Sequence, residues 1–114
     1  GRFIQGDLAD KTALRRVFRE THFDSAMHFA SHFGADDSNH NPAQCYRNNL
    51  SNTQQLLDVM IECDVFHFVF SSTAMLFGAP DYLPIDEHHR QKPLNPYGRS
   101  QQMIEQILTD YDAA

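Results

Sequence analysis

An α/β fold with a parallel sheet is predicted for this 114-residue chain by three observations. Extended apolar runs alternate with amphipathic helical runs, in the order strand, helix, strand, helix, strand, helix. That alternation indicates parallel strands joined by helical crossovers. The three strand ends, Gly6-Asp7, Phe29-Ala30-Ser31 and Ser71-Ser72-Thr73, carry small or polar residues. A ligand cleft beyond the carboxyl ends of parallel strands requires residues of that kind.

The first predicted strand covers residues 3–6 of the run Arg2-Phe3-Ile4-Gln5-Gly6-Asp7. Asp10, a favoured N-cap, opens a helix that ends near Thr21-His22. Leu14, Val17 and Phe18 share one face of it, and Arg15, Arg16, Arg19 and Glu20 take the wet side. Residues 25–30 form the second strand, followed by a polar loop from Ser31 to His40. Asn41-Pro42 starts a long helix running to about Glu62, with a stripe of Leu50, Leu57 and Ile61 beside Leu56 and Met60. The β-branched and aromatic run 65–70 is the third strand. A loop from Ala74 to Lys92 follows, holding Gly78, Pro80 and Pro84. The last helix spans about 94–112, with Ile104, Ile107, Leu108 and Tyr111 at helical spacing.

Composition narrows the function. Lys plus Arg total 9 against 15 Asp plus Glu, a net charge of −6. That balance argues against a nucleic-acid binder and against a polybasic membrane-surface module. No apolar run approaches the ~20 residues of a membrane span. Cys45 and Cys63 are expected to be free, buried thiols in a reducing cytoplasm. His28 and His32 are four apart, but His28 lies in a predicted strand, where that spacing separates them by ~13 Å, so no metal is expected. Asp86-Glu87-His88-His89 reads as a solvated loop. Asn49-Leu50-Ser51 matches a glycosylation pattern, but inside a helix. Asn48-Asn49 in mid-helix is unusual, because Asn competes with the helix backbone, and points to a ligand or cross-element contact.

Thr73 stands just past the third strand and Tyr97 at the start of the last helix. A hydroxyl and a phenol so placed can face one ligand. Tyr has an unperturbed pKa near ~10 and acts as a base only where the phenolate is favoured. A cation at i+4 would do this, but position 101 is Gln. Arg99, at i+2, points to another face.

Five motifs occur in order: Gly6-Asp7-Leu8, His28-Phe29-Ala30-Ser31, Tyr46-Arg47-Asn48-Asn49, Ser71-Ser72-Thr73-Ala74 and Asn95-Pro96-Tyr97-Gly98-Arg99-Ser100. Leu83-Pro84-Ile85-Asp86-Glu87 lies between the last two. Together they resemble the extended short-chain dehydrogenase/reductase family, NAD-dependent epimerases and dehydratases, and most closely its UDP-glucose 4-epimerase branch. The resemblance covers essentially the whole chain. It implies a doubly wound, Rossmann-like parallel sheet, here partial, with three strands alternating with three helices. The glycine-rich βαβ that opens the family's domain is missing. The chain is therefore expected to be an internal fragment, 1–114, of an NAD(P)-binding domain.

The implied activity is interconversion of UDP-glucose and UDP-galactose through a 4-keto sugar, with NAD as cofactor. By resemblance, Tyr97 matches the tyrosine that removes and returns the 4-hydroxyl proton, and Thr73 the residue that hydrogen-bonds that oxygen. Gln101 stands where the family has the lysine of Tyr-x-x-x-Lys, so the fragment is expected to be inactive alone. Asp7 and Leu8 match the pair at the adenine. Phe29, Ala30, Ser31 and His32 match the segment along the cofactor's phosphate and ribose, and Asn48 a cofactor-contacting asparagine. Ala74-Met75 replaces the Asp-Glu pair of the dehydratases, which favours an epimerase. Asp36-Asp37-Ser38 stands where epimerases usually have Gly-Glu-Ser. Other nucleotide-sugar epimerases, or a non-catalytic nucleotide- or protein-binding remnant, are the alternatives. A homodimer is expected through helices 41–62 and 94–112, with no nucleic acid or membrane partner.

Overall fold

The computed structural model describes residues 1–31 and 34–114. Its elements are α1 (Lys11–Glu20), β1 (Ser25–His28), α2 (Ala35–His40), α3 (Pro42–Tyr46), a π turn (Arg47–Ser51), α4 (Asn52–Glu62), β2 (His67–Phe70), a 3-10 turn (Ala74–Leu76) and α5 (Pro96–Asp112). No described helix is long and apolar enough to cross a membrane. The chain forms two compact units: Gly1–Ala30 with Ser51–Ser71, and Ser31–Leu50 with Ser72–Ala114.

In the first unit β1 and β2 pair in parallel, with Ser25 opposite His67 and His28 opposite Phe70. The second and third predicted strands are therefore neighbours. The first is not found: residues 3–6 form no strand, and the described sheet has two strands. Phe3 is 89% exposed. An extended segment that buries no side chain has nothing to offset the entropy of ordering its backbone.

Asp10 caps α1, its carboxylate accepting the Ala13 N–H at 2.9 Å. The helix packs on α4 through ion pairs that the periodicity did not announce. Arg15, assigned to the wet side, donates to both oxygens of Glu62, at 2.6 and 2.7 Å. Lys11 reaches Asp58 at 3.2 Å and Glu62 at 3.5 Å. The hydrogen bond from Arg15 holds the Glu62 carboxyl down at about 2. Leu56, Leu57, Val59, Met60 and Val65 are buried, and Ile61 stands half in solvent. His28 is buried in the same unit. Its Nε2 lies 2.9 Å from Thr53 Oγ1, and its ring stacks on Phe70. Burial lowers its pKa.

The long helix predicted over 41–62 is three pieces. Asn41 caps α3 by accepting the Gln44 N–H at 3.1 Å, and Pro42 occupies the first helical position. The π turn then inserts one residue per turn, which rotates every later side chain relative to Leu50.

In the second unit α5 packs against α2, α3 and the 3-10 turn. The connection from Phe77 to Asn95 is ordered by specific contacts. Gly78 has φ of +62° with the Lys92 carbonyl pressed against it, a conformation suited to glycine. The Lys92 N–H donates to the Leu76 carbonyl at 2.8 Å. His89 corrects the solvated-loop reading: it is 4% exposed, between Phe77 and Tyr82. Its Nε2 accepts the Asp81 N–H at 2.9 Å while Nδ1 faces the Arg90 carbonyl at 3.0 Å, which requires the Nδ1–H tautomer. Cys45 is buried and Cys63 half-buried, both free.

Candidate functional site

The second unit holds both hydroxyl residues. Asn95 caps α5, its side-chain oxygen accepting the Gly98 N–H at 2.8 Å, and Pro96 fits the first helical position. Tyr97 follows, half-buried. Its N–H donates to Ser38 Oγ at 3.2 Å, so α2 supplies a partner for one of the orphan N–H groups at the start of α5. Among the described residues no hydrogen bond reaches the Tyr97 phenol.

Thr73 lies on extended backbone and caps the 3-10 turn, its Oγ1 accepting the Met75 N–H at 3.3 Å. That turn and the start of α5 are in direct contact. A Cβ at Gly98 would lie 2.8 Å from the Met75 carbonyl oxygen and 3.0 Å from Pro93 Cβ. Only glycine lets the residue after Tyr97 sit this close to the turn capped by Thr73.

A polar chain supports α5 from below. Asn49, 1% exposed, donates its side-chain amide to Ser100 Oγ at 3.1 Å. Ser100 donates in turn to the Tyr97 carbonyl at 2.7 Å. Cys45 Sγ lies 3.6 Å from the same Asn49 amide, and burial pushes its thiol pKa up. The oddity of two asparagines in mid-helix thus resolves into a π turn with a cross-helix contact. It is made by Asn49, while Asn48 stays half-buried beside it.

Gln101 is 2% exposed, and its Oε1 has no hydrogen-bond partner. A buried polar oxygen without a donor is costly. Arg99 does not supply a charge here, since its Nη1 lies 3.4 Å from the Pro93 carbonyl. Ser31 is exposed in this unit, and His32 lies outside the described residues.

In the first unit an open cleft of about 390 Å³ runs from Ser25 along the whole of β1 and on to Ala30, with Leu8, Phe18, Phe23 and Leu56 completing its lining. Three sequence-predicted residues, Leu8, Phe29 and Ala30, meet there. The lining is dominated by carbon, which suits a planar base. Asp7 does not line this cleft. Its carboxylate accepts the Ala9 N–H at 2.9 Å and its carbonyl the Asp10 N–H at 3.0 Å, as turn chemistry. The Gln55 side chain donates to the Leu8 carbonyl at 2.6 Å and anchors that turn to α4. No group of three or more metal-ligating side chains occurs among the described residues.

Sequence reasoning missed Glu105, whose partner Ser72 lies 33 residues away, and the contact of Ser38 with Tyr97, 59 residues away. The cross-element contact expected at Asn48-Asn49 is made by Asn49.

A parallel strand pair joined by a helical crossover gives the chain the α/β architecture of the Rossmann-like class. Over residues 1–114 the chain matches the NAD dependent epimerase/dehydratase family, and it belongs to that family. A UDP-glucose 4-epimerase of Streptococcus mutans is 43% identical over 114 residues, 99% of this chain and 34% of the relative. UDP-arabinose 4-epimerase 1 of Arabidopsis thaliana is 39% identical over 109 residues, 96% of this chain and 26% of that one. Among solved structures, the Brucella ovis UDP-glucose 4-epimerase in complex with NAD superposes with a TM-score of 0.96 at 37% identity, covering 100% of this chain and 35% of its own. The Bifidobacterium longum enzyme in complex with NAD+ and UDP gives 0.93 at 39%, covering 96% and 33%. The chain thus spans about a third of the length of the relatives it matches.

Proposed function

We propose that this chain is part of the NAD(P)-binding domain of a UDP-sugar 4-epimerase, with UDP-glucose and UDP-galactose as the substrate pair. The observation that carries this is the seating of α5 on the turn after Thr73. Gly98 brings Tyr97 against the Thr73-capped turn more closely than any other residue would allow. Thr73 and Tyr97 then present a hydroxyl and a phenol from one unit.

In this reading the Tyr97 phenolate accepts the proton of the sugar 4-hydroxyl and returns it after the sugar has turned over. The Thr73 hydroxyl donates a hydrogen bond to the same oxygen. NAD, where bound, supplies a hydride acceptor. Leu8 suits its adenine, and Phe29 and Ala30 its phosphate and ribose region. Ser31, His32 and Asn48 belong to the same cofactor set by family motif, and so does Asp7 beside Leu8. Gln101 offers an amide to a ribose hydroxyl but no charge to lower the Tyr97 pKa. UDP-arabinose is an alternative substrate, because relatives of similar identity carry that name.

A non-catalytic, nucleotide-binding remnant is the second reading, and Gln101 favours it. One experiment separates the two. The 114 residues are grafted in place of the matching third of the Streptococcus mutans relative. Conversion of UDP-glucose to UDP-galactose is then followed with Gln101 and with Gln101→Lys. Turnover by either form supports the epimerase; NAD binding with no turnover in both forms supports the remnant.

A homodimer through helices 41–62 and 94–112 belongs to the epimerase reading. Leu57 and Ile104 are buried within their own units, which leaves Ile61 exposed in the first unit and Leu94 and Met103 in the second. Sedimentation of the chain as a monomer at high concentration would remove the dimer.

A further inference from the structure

We infer that Glu105 is a positioning residue that holds Thr73 in register with Tyr97, an inference that rests on the epimerase reading above. Glu105 lies on α5 eight residues after Tyr97 and four after Gln101, so all three share one face of the helix. Its two carboxylate oxygens are engaged separately. Oε1 accepts the Ser72 hydroxyl at 2.6 Å, and Oε2 accepts the Gln91 side-chain amide at 2.7 Å. Both bonds are short and charge-assisted.

The two donors stand at opposite ends of the segment that carries Thr73 away from β2. Ser72 is the residue before Thr73. Gln91 precedes Lys92, whose N–H closes on the Leu76 carbonyl at 2.8 Å. Between the 3-10 turn and α5 the chain has no helix or strand of its own. One carboxylate therefore ties both ends of an irregular stretch to the helix that bears the phenol. The contact at Gly98 sets how closely α5 approaches the turn after Thr73. Glu105 adds a second point of attachment two helical turns further along. Two attachments fix an orientation that one leaves free to pivot.

The chemistry predicts which substitutions matter. Glu105→Gln can keep both bonds, with its Oε1 accepting from Gln91 and its Nε2 donating to Ser72 Oγ. Glu105→Ala loses both. In the 114-residue chain, amide hydrogen exchange at Met75, Leu76 and Lys92 is expected to quicken at least ~10-fold in Glu105→Ala and to stay near wild type in Glu105→Gln. In the graft described above, carrying Gln101→Lys, Glu105→Ala is expected to lower kcat by ~10–100-fold, the effect of a misplacement near 1 Å. KM should stay within ~2-fold, since the lost interaction serves the reacting geometry. Glu105→Gln should restore most of kcat.

A merely structural role would lower the unfolding midpoint of Glu105→Ala and leave kcat at 25 °C unchanged, and that result overturns the inference. Unchanged exchange at Met75, Leu76 and Lys92 overturns it as well, whatever the activity. If the parent graft is inactive, the epimerase reading fails, and the exchange measurement alone decides whether Glu105 holds the Thr73 turn to α5.

Discussion

Asn49 and Ser100 meet at 3.1 Å in the interior of the second unit, the amide of one donating to the hydroxyl of the other. The contact links the π turn to α5 one residue from the catalytic candidate Gln101. Ser100 is 0% exposed and its hydroxyl donates a hydrogen bond to the Tyr97 carbonyl at 2.7 Å. Removing Asn49 therefore leaves a buried hydroxyl short of a donor. Asn49→Ala should destabilise the chain by ~1–3 kcal/mol. A urea midpoint equal to wild type would show that water takes the vacated place at no cost.

Two pH windows are expected in the stability of the first unit. Burial lowers the His28 pKa below its ordinary 6.5, so the folded state prefers the neutral ring. The unfolded state binds the proton more readily. Stability is then full above about pH 6.5 and declines as pH falls below it. His28→Gln should flatten that slope in urea midpoints measured between pH 7.5 and 5.5. Glu62 acts lower. Its pKa is depressed from 4.5 to about 2 by Arg15, so its contribution is present above about 4.5 and lost as pH falls to about 2. Glu62→Gln should remove this second decline, and added salt should shrink it.

Gly98→Ala tests the packing of α5 against the turn after Thr73. The new Cβ would stand 2.8 Å from a backbone oxygen, so either helix or turn must shift. Overpacking of this kind costs ~1–3 kcal/mol. Thermal unfolding should report the loss. In the grafted epimerase kcat should fall with it, because the shift moves Tyr97. A variant as stable and as active as its parent would mean that the contact relaxes freely.

Gln101 sets stability against activity. Its buried Oε1 has no donor, so Gln101→Met, close in shape and apolar, should stabilise the isolated chain by up to ~1–3 kcal/mol. Gln101→Lys should do the reverse, because a buried ammonium without a partner is costly. In the graft the same lysine should raise the epimerase rate by ~10²–10⁴, the range of general acid–base catalysis, and move the rate profile to lower pH. Equal rates for the Gln101 and Lys forms would remove Tyr97 as the base.

The 114-residue chain should bind NAD weakly. No glycine-rich phosphate loop occurs in its sequence, so the backbone N–H groups that hold a pyrophosphate at a helix N-terminus are not supplied by these residues. Leu8, Phe29 and Ala30 can engage little beyond the adenine and its ribose. Calorimetric titration showing micromolar affinity would contradict this.

Features that depend on neighbours in the chain were legible in the sequence. Asp10 and Asn41 announce their helices because a cap bonds to an N–H three residues on. The alternation of helical and extended runs indicates the parallel pairing of 25–28 with 67–70. The ordered motifs place Thr73 and Tyr97 at a strand end and a helix start, where the structure has them. Distant partners decided the rest. Residues 3–6 have the composition of a strand, but a strand exists only where another offers its backbone groups, and none does here. Arg15 looks solvent-facing by periodicity, yet Glu62, 47 residues away, holds it. His89 looks like a loop residue until Phe77, Tyr82 and the Asp81 N–H enclose it. Local pattern records the period of an element, whereas a hydrogen bond or a packed face needs both partners in place, and only the folded chain brings them together.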